Sequence, residues 1–273
     1  MSTKPITLCF QQLSVGNAHT GFRLRDISNT FYAGEVTALI GPNGSGKSTL
    51  LSVASTQLTP QSGSLTLCGK KSSDWSARER AQRVAHLPQH QELNFAFTVE
   101  EVVQLGRQCH TESTRHTRQI ARQYGTALDI TTLWKRDYTS LSGGEKQRVH
   151  VARVLAQVSA LDPDHQTPRL LLLDEPTNSL DLTHQALLID KVKQAAQYGV
   201  TTIMSLHDLN LVSPICDAVI CLQHGRVHTL GHPKDVLTKS VLESVFHTPI
   251  HVSHTTDQHP LIVLDPTQRQ RQS

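Results

Sequence analysis

One lysine, one serine and three glycines at fixed spacing are the residues of this chain best equipped for chemistry. They lie in the run Gly41, Pro42, Asn43, Gly44, Ser45, Gly46, Lys47, Ser48, Thr49, which meets the pattern G-x-x-x-x-G-K-[ST] at every fixed position. Glycine at 41, 44 and 46 lets the main chain wrap closely around phosphate oxygens with its N–H groups turned inward. Lys47 would reach the β- and γ-phosphates, and the Ser48 hydroxyl would join a Mg2+ shell. The pattern carries this meaning only between a strand and a helix. Val36–Ile40 reads as a buried strand and Ser48–Ala54 opens a helix, so the context is met. The expected ligand is a nucleoside triphosphate with Mg2+.

A second candidate is the run Leu170–Leu173 followed by Asp174 and Glu175. An Asp-Glu pair alone is most often a solvated acidic turn. At the exit of a buried parallel strand beside a phosphate loop, it becomes the place for a metal-organising carboxylate. Asp174 would then support Mg2+ through water, and Glu175 would polarise the attacking water as general base. The run Ser142, Gly143, Gly144, Glu145 precedes a helical stretch through Gln147, Val149 and Val154. Taken alone it is an N-cap with a capping residue. Its backbone donors at a helix N-terminus are equally an anion site.

Together these three runs resemble the nucleotide-binding subunit of the ABC (ATP-binding cassette) ATPases, a likeness that covers the chain to about residue 240. The resemblance implies that the ligand is ATP and that Ser142, Gly143, Gly144 and Glu145 cover the γ-phosphate of a partner cassette in a head-to-tail homodimer. It places Gln89 in the Q-loop, touching Mg2+ and the attacking water. Asp181 falls in the D-loop at the dimer interface, and His207 is the switch histidine on the γ-phosphate. The family's adenine-stacking aromatic would fall at or near Asn17, where this chain has none; Phe22 and Phe10 are the nearest substitutes.

The elements that must position these residues form an α/β pattern. Thr7–Val15 and Ser64–Cys68 read as strands of an antiparallel N-terminal region. Strand character returns at Leu170–Leu173, Thr201–Leu206 and Ala218–Leu222, with a helix at His184–Tyr198 between the first two. That βαβ unit implies a parallel sheet. The stretch between is helical, and its first helix, Val99–Gln108, should bury Val102, Val103 and Leu105 and weaken at Gly106. The expected fold is a P-loop NTPase of the ABC ATPase type, with a core over about residues 1–90 and 165–240. A helical subdomain is inserted at about 91–164, and residues 241–273 form a C-terminal extension.

The 273 residues carry a formal net charge of +3, too mild to draw nucleic acid. Arg269 to Arg271 is too short a basic tail to change that. Five cysteines without a C-x-x-C pair suit reduced thiols rather than a disulfide framework or zinc site. The N-terminus has no signal-peptide core and no apolar run approaches the ~18 residues of a membrane span. A soluble subunit held peripherally at the cytoplasmic face of the inner membrane is the expectation. Seven histidines crowd the region from His224 to His259 at spacings that match no zinc signature.

The run Leu93–Arg107 and the sequence His207–Leu211 are similar to those of importers for iron complexes and cobalamin. Within that group, three runs most resemble the haemin import ATPases (the HmuV group). They are Arg136–Arg148, Ala152–Val158 with the short polar insert Ser159–Pro168, and Asp174–Gln185. The resemblance implies haem import, with ferric-siderophore or cobalamin import as the alternative. Partners would be two transmembrane permease subunits and, through them, a periplasmic haem-binding protein. A cytosolic ABC ATPase of DNA repair or translation is the contrasting class. It would bring a long coiled-coil or zinc insertion, or a second cassette, and neither is present.

Overall fold

The computed structural model describes residues 4–17, 21–91, 93–159 and 168–264. The polar insert between Ser159 and Pro168 and the tail Arg269 to Arg271 lie outside them. The N-terminal strands are β1 (Ile6–Asn17), β2 (Gly21–Tyr32), β3 (Val36–Ile40), β4 (Ser62–Leu67), β5 (Lys70–Lys71) and β6 (Val84–Leu87). They are followed by β7 (Arg169–Leu173), β8 (Val200–Ser205), β9 (Ala218–Gln223), β10 (Arg226–Gly231), β11 (Ile250–His254) and β12 (Pro260–Leu264). The helices are α1 (Lys47–Ala54), α2 (Ala77–Ala81), α3 (Val99–Leu105), α4 (Thr114–Ala127) and α5 (Gly143–Val158). Beyond them come α6 (Leu182–Gln197), α7 (Val212–Ile215), α8 (Pro233–Val236) and α9 (Lys239–Phe246).

Two larger sheets face each other. One is antiparallel with order β2-β1-β4-β5; the other has order β10-β9-β3-β8-β7-β6. In the second sheet β9, β3, β8, β7 and β6 run parallel and β10 closes the edge antiparallel. A parallel strand covered on both faces needs apolar residues at every position, which explains the unbroken Leu170–Leu173. Leu170 and Leu172 pack with Leu8, Phe10 and Phe31 toward the antiparallel sheet. Leu171 and Leu173 pack on the opposite face with Val151, Leu155 and Leu188.

The helical stretch is α3, α4 and α5. Its helices start on side-chain caps: Thr98 with Glu101, Ser113, and Ser142 with Glu145. α3 ends at Leu105, three residues short of the expected Gln108, and Leu105 is only half-buried. Gly106 is a point of close approach rather than a weakness: a Cβ there would meet the Arg153 carbonyl of α5 at 2.2 Å. Arg107 follows, fully buried, donating to Glu112 (2.7 Å) and to the Ser159 carbonyl (2.9 Å). Ahead of α5, buried Tyr138 bonds His150 at 2.6 Å. Burial, with Arg153 and Lys146 nearby, pushes His150 down to about 4, so it is neutral at physiological pH.

The expected C-terminal extension is anchored to the main core, in which Leu242, Val245 and Ile250 are buried. The hairpin β11–β12 is fixed by Asn210, whose side chain both accepts from the Ile262 N–H (2.8 Å) and donates to its carbonyl (3.3 Å). Three of the seven histidines of this region serve local bonds: His259 to Ser213, His228 to Ser244, and His232 as the cap of α8. Among the described residues no three His, Cys, Asp or Glu side chains group to hold a metal, and no helix is long and apolar enough to cross a membrane. All five cysteines are free thiols.

Candidate functional site

Strand order does the positioning. The parallel strands β3, β8, β7 and β6 lie side by side, so the segments leaving their carboxyl ends line up along one edge. In spatial order these are the glycine loop after β3, His207 after β8, Asp174 and Glu175 after β7, and Gln89 after β6. Four segments far apart in sequence thus meet at a cavity of about 900 Å3 lined by Lys47, Ser48, Gln89, Glu175 and His207 among others.

In the glycine loop, Gly41 has φ +140° and a Cβ there would meet the Leu222 carbonyl at 2.1 Å. Gly46, at φ +109°, begins α1 in the left-handed region, and a Cβ there would meet a Leu24 methyl at 2.7 Å. Both positions require glycine. The Leu50 N–H makes the first bond of α1, to the Gly46 carbonyl. The N–H groups of Lys47, Ser48 and Thr49 are therefore the helix's unpaired N-terminal donors, an anion site by construction. The Lys47 ammonium arches back to the carbonyls of Gly41 (2.8 Å) and Pro42 (3.1 Å). Burial pulls its pKa down, and the carboxylates of Glu175 and Asp174 oppose that shift.

Glu175 sits at φ +51°, a left-handed conformation unusual for a glutamate. Its carboxylate accepts from Gln89 Nε2 (2.8 Å), from Asn178 and from His207 Nε2. Burial pushes its pKa up, but these bonds and the His207 charge outweigh it and hold the group below the usual carboxylate range. Asp174, buried beside it, accepts from the Ser205 hydroxyl at 2.6 Å. The same hydroxyl accepts from the Glu175 N–H at 2.8 Å. Ser205 thus fixes both carboxylates, and the sequence reading passed over it. The available signal was a hydroxyl at the carboxyl end of a fully buried strand, beside the expected site, which demands a partner. Arg23, Arg25 and His224, which also line the cavity, were likewise unforeseen.

The donor set suits Mg2+. Ser48 Oγ, an Asp174 carboxylate oxygen and the Gln89 carbonyl are hard oxygen ligands, and a site completed by substrate phosphates needs only one or two carboxylates.

Ser142–Glu145 lies outside this cavity. Glu145 turns back to accept from the Ser142 N–H (2.7 Å), and Ser142 Oγ accepts from the Glu145 N–H (3.3 Å). The Glu145 carboxylate is thereby committed to a capping box, with Arg136 at 3.5 Å. Gly144 abuts Ser179, whose carbonyl a Cβ would meet at 2.7 Å, while a Cβ on Gly143 would stand in open space. Asp181 caps α6 through the His184 N–H (2.9 Å) and bonds the His184 ring (2.7 Å). Of the two aromatics nearest the missing stacking position, Phe10 is buried, edge-on to Phe31 with ring centroids 5.6 Å apart, and cannot reach a base. The side chains of Asn17 and Phe22 lie outside the described residues.

The sequence profile of the ABC transporter family matches residues 24–178. The hemin import ATP-binding protein HmuV of Pseudomonas entomophila is 44% identical over 241 residues, which span 88% of this chain and 93% of that protein. The chain belongs to the ABC transporter family. HmuV of Gloeobacter violaceus is 47% identical over 215 residues, 78% of each chain. Among solved structures, a chain of a metal-chelate type ABC transporter in an inward-facing conformation superposes with a TM-score of 0.77 at 26% identity, covering 97% of this chain and 99% of that one. A dimeric bacterial ABC transporter cassette gives 0.73 at 23% identity, with 83% and 98% covered, and speaks to the fold alone. This ABC ATPase binds and hydrolyses ATP.

Ser205→Ala in this ABC ATPase leaves Asp174 one donor short and the Glu175 N–H without its acceptor. A hydrogen bond to a charged group is worth about 1.5–3 kcal/mol, so kcat should fall roughly 10- to 100-fold. ATP affinity should change little, because the loop that binds the phosphates is untouched. Steady-state hydrolysis beside equilibrium ATP binding checks the split.

Proposed function

We propose that this chain is the ATP-hydrolysing subunit of a haemin importer, working as a homodimer beneath two transmembrane permease subunits at the cytoplasmic face of the inner membrane. A periplasmic haem-binding protein would deliver cargo to the permease. One observation carries the enzymatic half: Lys47, Glu175, His207 and Gln89 meet on a single cavity although they come from four strand ends, with Asp174 buried directly behind Glu175. The cargo half rests on the likeness to hemin import proteins over most of the chain. Ferric-siderophore or cobalamin import is the second reading, supported by the likeness to a metal-chelate type transporter.

In this reading, residues 1–240 form the cassette, with the segment 91–164 as its helical subdomain and 241–273 as an extension. The loop from Gly41 to Thr49 holds the triphosphate, with Lys47 on the β- and γ-phosphates. Ser48, Gln89 and, through water, Asp174 would hold Mg2+, which would supply charge neutralisation to the phosphates. Glu175 takes the proton of the attacking water, and His207 steadies the γ-phosphate while bonded to Glu175. Ser142, Gly143 and Gly144 offer donors to the partner cassette's ATP, with Glu145 holding the cap, and Asp181 fixes the segment that faces the partner. ATP closes the pair and hydrolysis reopens it, moving the permease.

The test is growth of a strain lacking this protein on haem as sole iron source, with a ferric siderophore in parallel. Loss on haem alone, restored by the wild-type gene and not by Glu175→Gln, supports haemin import. Growth on haem with failure on siderophore moves the cargo to the second reading.

A further inference from the structure

The cavity has a second wall that the triphosphate chemistry does not use. It is built by β2 and the β9–β10 turn, through Arg23, Arg25 and His224. Strand alternation puts Arg23 and Arg25 on one exposed face, while Leu24 between them is buried in the core. The wall is fixed against the phosphate loop by main-chain bonds. The Arg25 N–H donates to the Gly225 carbonyl (2.7 Å) and the Gly225 N–H to the Ser45 carbonyl (3.0 Å). Neither Gly46 nor Gly225 leaves room for a Cβ, which would meet the Arg23 carbonyl at 3.0 and 2.5 Å respectively. Among the described residues no Phe, Tyr or Trp lines the cavity, and Phe10 is shut in the core.

Resting on the ATP-binding reading of the loop, we propose that Arg23 and Arg25 form the base subsite, gripping the nucleobase between planar guanidinium groups with His224 at its edge. Guanidinium planes stack on bases and on aromatic rings, through dispersion and attraction to the ring face. Side chains two apart on a strand leave it about 6.8 Å from one another. That spacing admits one flat ring, with a contact of about 3.5 Å on each face. Stacking contacts any base face, so the subsite selects for a base without discriminating strongly among bases.

Equilibrium binding of ATP, GTP and inorganic tripolyphosphate to the full-length protein tests this. Wild type should bind ATP and GTP within about threefold of each other, because stacking tolerates any base. Arg23→Ala with Arg25→Ala should weaken both nucleotides about tenfold or more and leave tripolyphosphate within about twofold. Lysine at both positions keeps the charge but not the plane, and should stay near the alanine values. In hydrolysis the double alanine variant should raise KM with kcat unchanged. Three results overturn the base subsite: an equal loss for tripolyphosphate, which makes the arginines phosphate ligands; no loss at all; or the full loss reproduced by Phe22→Ala alone. A Lys47→Ala variant that binds tripolyphosphate as wild type does would instead overturn the phosphate-loop reading beneath it.

Discussion

Glu175→Gln should lower ATP turnover by about 10²–10⁴, the usual worth of a positioned general base, while ATP binding persists. The substitution keeps the shape of the side chain and removes its charge. In the wild type, burial raises the carboxyl pKa, but bonds from His207, Gln89 and Asn178 pull it below the usual carboxylate range. The group is therefore ionised at neutral pH and ready to accept a proton from water. A glutamine must turn its own N–H2 toward some of those donors, so part of the net is broken even though the backbone stays. The pH dependence follows with a definite sign. The active form is the deprotonated one, so Glu175 should impose no slope on turnover near neutrality, and turnover should fall only as pH drops through its depressed pKa. The same depression contributes stability that is present above the ordinary carboxylate pKa and lost on acidification. Acid unfolding of Glu175→Gln should accordingly be less steep. Steady-state hydrolysis at saturating ATP, with binding measured separately, decides it; wild-type turnover in the variant would remove Glu175 as the base.

The glycine loop was legible because its glycines are demanded locally: Gly41 and Gly46 take backbone angles and contacts that other residues cannot. The strand Leu170–Leu173 was legible because burial on both faces leaves no polar position. A parallel sheet joining them was implied by the βαβ unit, but the order β3, β8, β7, β6 depends on long-range pairing that no local pattern encodes. The inward burial of Phe10 was illegible for the same reason. In a strand paired on both sides, which face turns inward is decided by partners, here Asn29 of β2 and Leu65 of β4. Arg23 and Arg25 carry no local signal, because their place on the cavity depends on the strand that carries them lying against the loop. Gly106 read as a helix breaker because its reason for being glycine lies in α5, 47 residues on from Gly106 at Arg153. Local constraint is written in local sequence; constraint imposed by a distant neighbour appears only once the neighbour is in place.

Lys47→Ala should abolish useful nucleotide binding while leaving the fold intact. The ammonium is the one positive side chain placed within the loop itself, and its two bonds to the Gly41 and Pro42 carbonyls keep one of its three donors available for phosphate. A charge-assisted bond to phosphate is worth about 1.5–3 kcal/mol, so its loss raises the Kd for ATP about 10- to 100-fold. Stability should move differently from affinity. Burial depresses the Lys47 pKa against the pull of Glu175 and Asp174, so the folded protein carries the charged form at a cost. Alanine relieves that cost and forgoes two bonds to carbonyls, and these act in opposite directions. The melting temperature without nucleotide should therefore stay close to wild type, while the rise on adding ATP should largely disappear, since stabilisation by a ligand follows its concentration relative to Kd. Thermal unfolding with and without ATP reads both quantities in one experiment. A large drop in the nucleotide-free melting temperature would show that Lys47 holds the loop together rather than the phosphate.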